Sequence, residues 1–230
     1  GSKMSNKKSV VIRNQPSKVR LIIFDFDGVL ADSFETFYLL IKDSFAHIDF
    51  KLSRNKYKGF FNGDVHQGFK NFISNKEKYL SFSEFRKNNY DKYYYNKKNK
   101  VKFFLGAREF IAKLKGKHVL AIASSGHQKN IKNLLEDGGI KNLFNFVLAN
   151  TSTDKEGMIR EILHKSCIKP EETIMISDTV GDIIMAKKAG LRTLAVTWGF
   201  HSKNKLKNSN PYAIVKSFKE LLGQIDKLSQ

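Results

Sequence analysis

Two carboxylates two residues apart, Asp25 and Asp27, directly follow the apolar run Leu21-Ile22-Ile23-Phe24. Two anions at this spacing repel each other, and partial burial removes their hydration, so a cation or a proton shared with a substrate would compensate them. The alternative is a polar turn at the end of a strand, because Asp and Gly are ordinary turn residues. Placement of both carboxylates where a buried strand ends favours chemistry over that alternative.

Polar residues follow three more apolar runs. After the first of these, the Ser124 hydroxyl and the free amides of its turn are available to an anion, although Ser124 or Ser125 can also simply cap a helix. After the second, Lys155 stands at a predicted helix start, where it opposes the helix dipole unless an anion lies nearby. The third supplies two carboxylates four residues apart, Asp178 and Asp182.

Short apolar runs alternate with helix-like stretches along most of the chain, which predicts an α/β fold with a parallel sheet. Because such sheets bind ligands beyond the carboxyl ends of their strands, the polar residues above should converge. Hard oxygen ligands in this number suit Mg²⁺, while Ser, Lys and helix-start amides suit phosphoryl oxygens. The predicted strands are 19–24, 119–123, 144–149, 173–176 and 193–196. One helix is predicted before the second strand, at 107–115, and three more separate the last four strands, at 128–136, 156–166 and 182–189.

The long interval between the first two predicted strands indicates an inserted helical module. Its helical stretches are expected at 34–45, 65–73 and 82–95, with Asp32 and Glu35 at the spacing of a capping box for the first. The glycine-rich stretch 58–68 contains Asn62 and His66, which are candidate specificity residues if this loop faces the active site. A plain loop between helices is an equally good interpretation.

The order and content of these segments resemble the four motifs of the haloacid dehalogenase-like (HAD) superfamily, phosphatase branch, from about residue 21 to the end of the chain. The resemblance implies a Rossmann-like core with an inserted helical cap. It also implies that Asp25 is the nucleophile that forms an aspartyl-phosphate and that Asp27 is the acid and base. It assigns Mg²⁺ to Asp25, Asp27 through its peptide carbonyl, Asp178 and Asp182, and the phosphoryl oxygens to Ser124, Ser125 and Lys155, which is also catalytic.

The resemblance also divides the chain and narrows the reaction. Residues 1–18 are expected to be a tag remnant and a flexible arm, 19–32 and 103–230 the core, and 33–102 the cap. The cap resembles that of phosphoglycolate phosphatases and β-phosphoglucomutases, and the segment 197–200 resembles the corresponding segment of the phosphoglycolate phosphatases. We therefore expect a Mg²⁺-dependent phosphatase acting on phosphoglycolate or a sugar phosphate. The alternatives are a phosphomutase, a nucleic-acid-binding or end-processing phosphatase, and a catalytically idle regulatory domain.

The net charge of +19 invites an interpretation as a nucleic-acid-binding protein. The excess is mostly Lys spread along a chain rich in Asn, which favours a general compositional bias. The densest basic segment, 84–103, contains four tyrosines that could stack on bases, but a helix with its aromatic side packed inward explains them more simply. With a single cysteine, Cys167, and no apolar run of membrane-spanning length, we expect a cytoplasmic monomer or homodimer whose partner is a small phosphorylated metabolite, not a nucleic acid or a membrane.

Overall fold

A six-stranded, fully parallel sheet forms the centre of the computed structural model, which describes residues 16–149 and 153–230. Across the sheet, the six strands stand in the order 146–149, 119–124, 21–24, 173–177, 192–196 and 213–215. This confirms the predicted fold class, and most of the predicted arm, residues 1–15, lies outside the described residues. The strands are β1 (Leu21–Phe24), β2 (Ala31–Asp32), β3 (Lys102–Phe103), β4 (Val119–Ser124), β5 (Phe146–Ala149), β6 (Thr173–Ser177), β7 (Arg192–Val196) and β8 (Ala213–Val215).

Helices cover both faces of this sheet, so its strands read as continuous apolar runs. In β1, Ile22 and Phe24 face one apolar cluster with the helices at 107–114, 128–137 and 218–228, while Leu21 and Ile23 face another with the helices at 155–166 and 180–188. All four side chains are fully buried. The helices are α1 (Phe34–Ala46), α2 (Arg54–Gly59), α3 (Val65–Phe72), α4 (Lys76–Tyr94), α5 (Ala107–Leu114), α6 (Gln128–Asp137), α7 (Lys155–Ser166), α8 (Val180–Lys188), α9 (Lys203–Lys207) and α10 (Phe218–Leu228).

Helices α1 to α4 form the predicted insertion, and a short antiparallel ribbon joins them to the core. The ribbon pairs β2 with β3, so the chain enters and leaves the insertion at neighbouring positions. The insertion has its own aromatic cluster, in which Phe45 contacts Phe60, Phe69 and Phe82. A separate apolar core on two adjacent connections is what a cap over the sheet edge requires.

The cap departs from the sequence expectation in three places. Helix α4 begins at Lys76, earlier than predicted, because the Asn75 side chain accepts a hydrogen bond from the backbone N–H of Lys78 at 2.9 Å. Helix α1 has Ser33 as its N-cap instead of a capping box, and Glu35 forms an ion pair with Arg54. The stretch 58–68 is not a single loop, since it contains the end of α2, a 3₁₀ turn (Phe60–Asn62) and the start of α3.

The tyrosines of the basic segment pack largely inward. Tyr94 is buried and stacks with Tyr90 at a ring separation of 6.1 Å. The hydroxyl of Tyr95 donates a hydrogen bond to Asn130 on α6, and the Asn130 side chain donates to Asp91. The aromatic side of α4 therefore docks the cap on the core. Over the described part of the chain, every helix is too short or too polar to cross a membrane.

Candidate active site

The site forms where the carboxyl ends of β1, β4 and β6 meet. The backbone N–H of Asp25 donates to the carbonyl of Ile176 at 3.0 Å, which fixes Asp25 beside β6. One of its carboxylate oxygens, Oδ1, accepts from the N–H of Phe26 at 2.8 Å. Gly28 then adopts a φ of 82° and donates to the carbonyl of Ala31 at 2.9 Å, closing the turn that carries Asp27.

The carboxylate of Asp178 occupies a slot between two glycines. A Cβ atom on Gly28 would lie 2.0 Å from Asp178 Oδ2, and one on Gly199 would lie 2.3 Å from the same atom. That oxygen accepts a hydrogen bond from the N–H of Phe200 at 2.7 Å, whereas Oδ1 is buried without a partner among the described residues. Two glycines and one backbone amide therefore position this carboxylate.

Lys155 is buried at the start of α7 between two carboxylates. Its Nζ lies 2.6 Å from Asp182 Oδ2 and 3.2 Å from Asp25 Oδ1. The Ser177 hydroxyl donates to the same Asp182 oxygen at 3.3 Å. These anions offset the unfavourable position of a cation at a helix N-terminus.

Burial dominates the electrostatics of the acidic residues. It raises the pKa of Asp27 to about 6 and that of Asp178 to about 7. It also raises the pKa of Asp25, a shift that Lys155 opposes and that Asp182 and Asp178 increase. For Asp182, Lys155 and hydrogen bonds outweigh burial and lower the pKa. Two buried carboxyl groups, Asp25 and Asp178, and two partly buried ones, Asp27 and Asp182, thus share the buried ammonium group of Lys155.

The donor set fits Mg²⁺. Among the described residues, no three His, Cys, Asp or Glu side chains form a group that by itself would hold a metal ion. Mg²⁺ does not need one, because it keeps several waters and is bound through one or two carboxylates. Asp178 Oδ1 is buried without a hydrogen-bond partner among the described residues. A cation would satisfy such an oxygen and offset the surplus negative charge.

Ser124 ends β4 and lies at the mouth of the turn into α6. It is 1% exposed, and its hydroxyl accepts from the N–H of Gly126 at 3.0 Å. A cavity of about 1080 Å³ opens above it, between the core and the cap. The fully buried Asp178 is not part of the cavity wall, but the wall includes every other predicted site residue: Asp25, Asp27, Asn62, His66, Ser124, Ser125, Lys155 and Asp182.

The cap closes over this cavity through the loop after β7. His201 is 1% exposed, accepts from the N–H of Val180 at 3.0 Å through Nδ1, and donates from Nε2 to the cap carbonyl of Lys58 at 2.8 Å. Phe200 packs edge-on against Phe34 of the cap at 4.9 Å. This one loop therefore holds both the Asp178 carboxylate and the cap.

Sequence reasoning missed the function of two groups. The segment 197–200 was noted only for its resemblance, yet Trp198 Nε1 donates to the carbonyl of Val29 at 2.9 Å and so braces the turn after Asp27. Arg86 was counted as one of many basic residues, yet it lines the cavity. For the segment 197–200, the adjacent Trp198 and Gly199 were the available sequence signal. Nothing in the sequence around Arg86 marks the second.

Comparison with known families gives one clear match. The family model described as haloacid dehalogenase-like hydrolase matches residues 22–196. That range begins in β1 and ends with β7, and it includes Asp25, Ser124, Lys155 and Asp178. The match confirms the resemblance indicated by the order of the motifs.

Individual relatives include phosphatases. The chain is 36% identical over 125 residues to the probable phosphatase IndB of Dickeya dadantii, covering 52% of this chain and 54% of that protein. It is 27% identical over 130 residues to the phosphoglycolate phosphatase of Synechococcus elongatus, covering 56% and 61%. The matches thus span about half of this chain and little more than half of each relative.

The fold has a close counterpart among solved structures. The crystal structure of a predicted phosphatase from Clostridium acetobutylicum superimposes with a TM-score of 0.79 at 26% identity, covering 92% of this chain and 100% of that one. The likeness extends over core and cap together. It agrees with a capped α/β architecture.

Proposed function

The chain belongs to the haloacid dehalogenase-like hydrolases, and we propose that it is a Mg²⁺-dependent phosphatase that hydrolyses a small phosphomonoester through an aspartyl-phosphate intermediate. The observation that carries this proposal is the placement of Asp25 and Asp27 in one cavity with Lys155 beside Asp25. A nucleophile, an acid and a fixed positive charge are the groups that phosphoryl transfer needs.

Asp25 is the proposed nucleophile. A carboxylate oxygen attacks phosphorus in line with the ester oxygen, the new O–P bond forms as the ester O–P bond breaks, and the product is an acyl phosphate. The hydrogen bond from the Phe26 N–H to Oδ1 fixes the rotation of the carboxylate, which favours a single direction of attack. Water then attacks the same phosphorus and regenerates Asp25.

Asp27 is the proposed acid and base. With a pKa raised to about 6 by burial, its carboxyl group holds a proton more readily than an ordinary Asp. It gives this proton to the leaving oxygen and later accepts one from the attacking water, so the proton balance closes over one turnover. A pKa near neutrality suits both steps.

The phosphoryl oxygens gain negative charge that the site must accommodate. Lys155 supplies a fixed cation, and Ser124 and Ser125 supply hydroxyl groups at the turn into α6. Asp25, Asp178 and the peptide carbonyl of Asp27 would hold Mg²⁺, with Asp182 in support. When bound, Mg²⁺ supplies electrostatic stabilisation of the phosphoryl group.

The cap is the proposed source of substrate selection. We place its boundaries at 33–102, since β2 and β3 pair at its two connections. Asn62 and His66 line the same cavity as Asp25 and Asp27 and are proposed to contact the part of the substrate beyond the phosphate. Phosphoglycolate or a sugar phosphate fits in a cavity of this size.

The test is a panel of phosphate esters assayed with added Mg²⁺ and after exhaustive chelation. We expect phosphate release from p-nitrophenyl phosphate and from at least one metabolite, loss of activity on chelation and recovery with Mg²⁺. Release of free phosphate, rather than an isomeric phosphate ester, separates hydrolysis from phosphoryl transfer within the substrate. Full activity after chelation would contradict the metal role, and no hydrolysis of any ester would contradict the function.

A further inference from the structure

Arg86 is a cap residue whose guanidinium group reaches the wall of the catalytic cavity. It lies on α4, is partly buried, and stands over the rings of Phe69 and Phe82 at 5.9 and 5.8 Å. The aromatic side chains fix the position of the group and remove part of its hydration. A partly desolvated cation destabilises the fold unless an anion compensates its charge.

No carboxylate provides that compensation within the described residues. Arg86 forms none of the ion pairs found there. Its polar neighbour is His66, whose Nδ1 lies 3.1 Å from Arg86 Nη1. Burial and Arg86 lower the pKa of His66, so the ring is neutral and accepts this hydrogen bond. The guanidinium has five N–H donors, and this contact uses one.

His66 also connects Arg86 to the phosphate-binding side of the cavity. His66, Ser125 and Lys155 all line the cavity that Arg86 reaches. Asp25 and Arg86 line the same cavity from core and cap. A ligand whose phosphoryl group meets Asp25 can therefore present its other end to the Arg86 fork.

Other cations at the cavity are poorer candidates for this contact. Lys87, Lys129 and Lys188 also line it, but all three are exposed. An exposed ammonium group keeps its hydration and contributes little to binding. Arg86 differs because it is partly desolvated and offers planar, paired donors, the geometry that matches a carboxylate or phosphate.

We propose that Arg86 binds a second anionic group of the substrate, a carboxylate or a phosphate, and that His66 positions the guanidinium for this contact. The inference rests on the proposed phosphatase activity and narrows its substrates to phosphomonoesters that carry a second anion. Phosphomonoesters of equal size whose far end carries no charge would bind through the phosphoryl group alone.

The experiment compares two esters that differ only at the far end: phosphoglycolate, which carries a carboxylate, and hydroxyethyl phosphate, which carries a hydroxyl group. Wild-type protein should show a kcat/KM for phosphoglycolate at least about tenfold higher than for hydroxyethyl phosphate. Arg86→Gln should lower kcat/KM for phosphoglycolate by about 10- to 100-fold and leave hydroxyethyl phosphate and p-nitrophenyl phosphate within about threefold. Arg86→Lys keeps the positive charge without the paired N–H donors of the guanidinium group, so its kcat/KM for phosphoglycolate should fall less than that of Arg86→Gln.

Lys87→Gln is the matched control, because it removes the same charge from the next residue of α4 at an exposed position. It should leave the ratio between the two esters unchanged. Equal losses on all substrates in Arg86→Gln and Arg86→Lys would assign Arg86 to packing and overturn the inference. An unchanged ratio in Arg86→Gln would also overturn it while leaving the proposed function intact.

Direct binding separates failure of the inference from failure of the proposed function. The two esters are titrated calorimetrically into the Asp25→Asn protein with and without Arg86→Gln. Tighter binding of phosphoglycolate that disappears with Arg86→Gln supports the inference even if turnover is too slow to measure. Equal binding of the two esters, or no binding of phosphoglycolate, overturns it.

Discussion

The ammonium group of Lys155 lies 2.6 Å from Asp182 Oδ2, closer than the 3.2 Å that separates it from Asp25 Oδ1. The Lys155 and Asp182 side chains are 9% and 15% exposed, so water screens this pair weakly. Asp182 therefore acts as an anchor that holds Lys155 beside Asp25, the proposed nucleophile. The proposed phosphate-binding cation depends on a residue that need not touch the substrate.

The first prediction concerns this pair. Lys155→Met leaves buried carboxylates without a cation and should lower the free energy of unfolding by about 3 kcal/mol or more. Asp182→Asn removes one of the carboxylates that the Lys155 ammonium group compensates. The double variant should therefore lose less free energy of unfolding than the two single variants lose in sum. We expect a coupling energy of at least about 1 kcal/mol from urea unfolding of the four proteins.

The exposed pair Lys165–Glu161, also at 2.6 Å, is the control for that cycle. Its coupling should stay below about 0.5 kcal/mol, because the two side chains are solvated and four residues apart on one helix. Additive effects at Lys155 and Asp182 would show that the pair has no special energetic link. The anchor role would then be wrong.

The second prediction is that Asp25→Asn lowers kcat by several orders of magnitude without loss of stability. The amide cannot form the acyl phosphate, yet it relieves repulsion among buried carboxylates, so the free energy of unfolding should stay equal or rise. Asp32→Asn, an exposed change on β2, should keep both activity and stability. Near wild-type turnover by Asp25→Asn would refute the nucleophile assignment.

The third prediction uses the slot that holds Asp178. In Gly199→Ala the new Cβ would lie 2.3 Å from Asp178 Oδ2 and 2.4 Å from the Gly28 carbonyl, so one of these groups must shift. We expect a loss of about 1–3 kcal/mol in the free energy of unfolding and a higher Mg²⁺ concentration for half-maximal activity. Activity titrated with Mg²⁺ and thermal unfolding measure the two effects.

Gly223→Ala is the matched control for Gly199→Ala. Gly223 lies within α10 with nothing within 4 Å of the new atom, so alanine should be neutral or slightly stabilising there. If Gly199→Ala were equally harmless, the close approach around Asp178 would not be a constraint on the fold.

Local patterns were enough to predict five of the six strands of the core sheet but not the whole molecule. Strand β1 and the carboxylates after it are contiguous in sequence, so their chemical role could be predicted from the sequence. Helix α2 was missed because its six residues include a C-terminal glycine and little apolar periodicity. Strand β8 was missed because it has only three residues and its pairing with β7 is set by the tertiary fold.

The parts of the site that escaped prediction are those formed by contacts between distant segments. His201 meets Lys58 across 143 positions of the chain, and Arg86 meets His66 across a turn between two cap helices. A lysine-rich composition also hides a single important arginine. Such contacts depend on how cap and core pack, and no short-range spacing encodes them.

The last prediction concerns pH and the cap contact made by His201. Burial lowers the pKa of His201 to about 4, and the neutral ring accepts from Val180 while it donates to Lys58. An unfolded histidine titrates near pH 6.5, so between pH 6.5 and 4 the unfolded chain takes up a proton that the folded chain does not. The stabilisation from this residue is thus complete above about pH 6.5 and is lost as the pH falls toward 4.

His201→Gln removes this titration and keeps an amide that can donate to Lys58. The difference in the free energy of unfolding between wild type and His201→Gln should therefore shrink by about 1 kcal/mol per pH unit from pH 6.5 to 4, as measured by urea unfolding at each pH. The same change at the exposed His164 should leave that difference flat.

The His201 ring joins the core loop to the cap, so its protonation should also loosen the closed cap. Amide hydrogen exchange in α2, corrected for intrinsic rates, should rise over the same pH window in the wild type alone. A pH-independent difference between the two proteins would mean that the His201 ring is not held neutral by its burial.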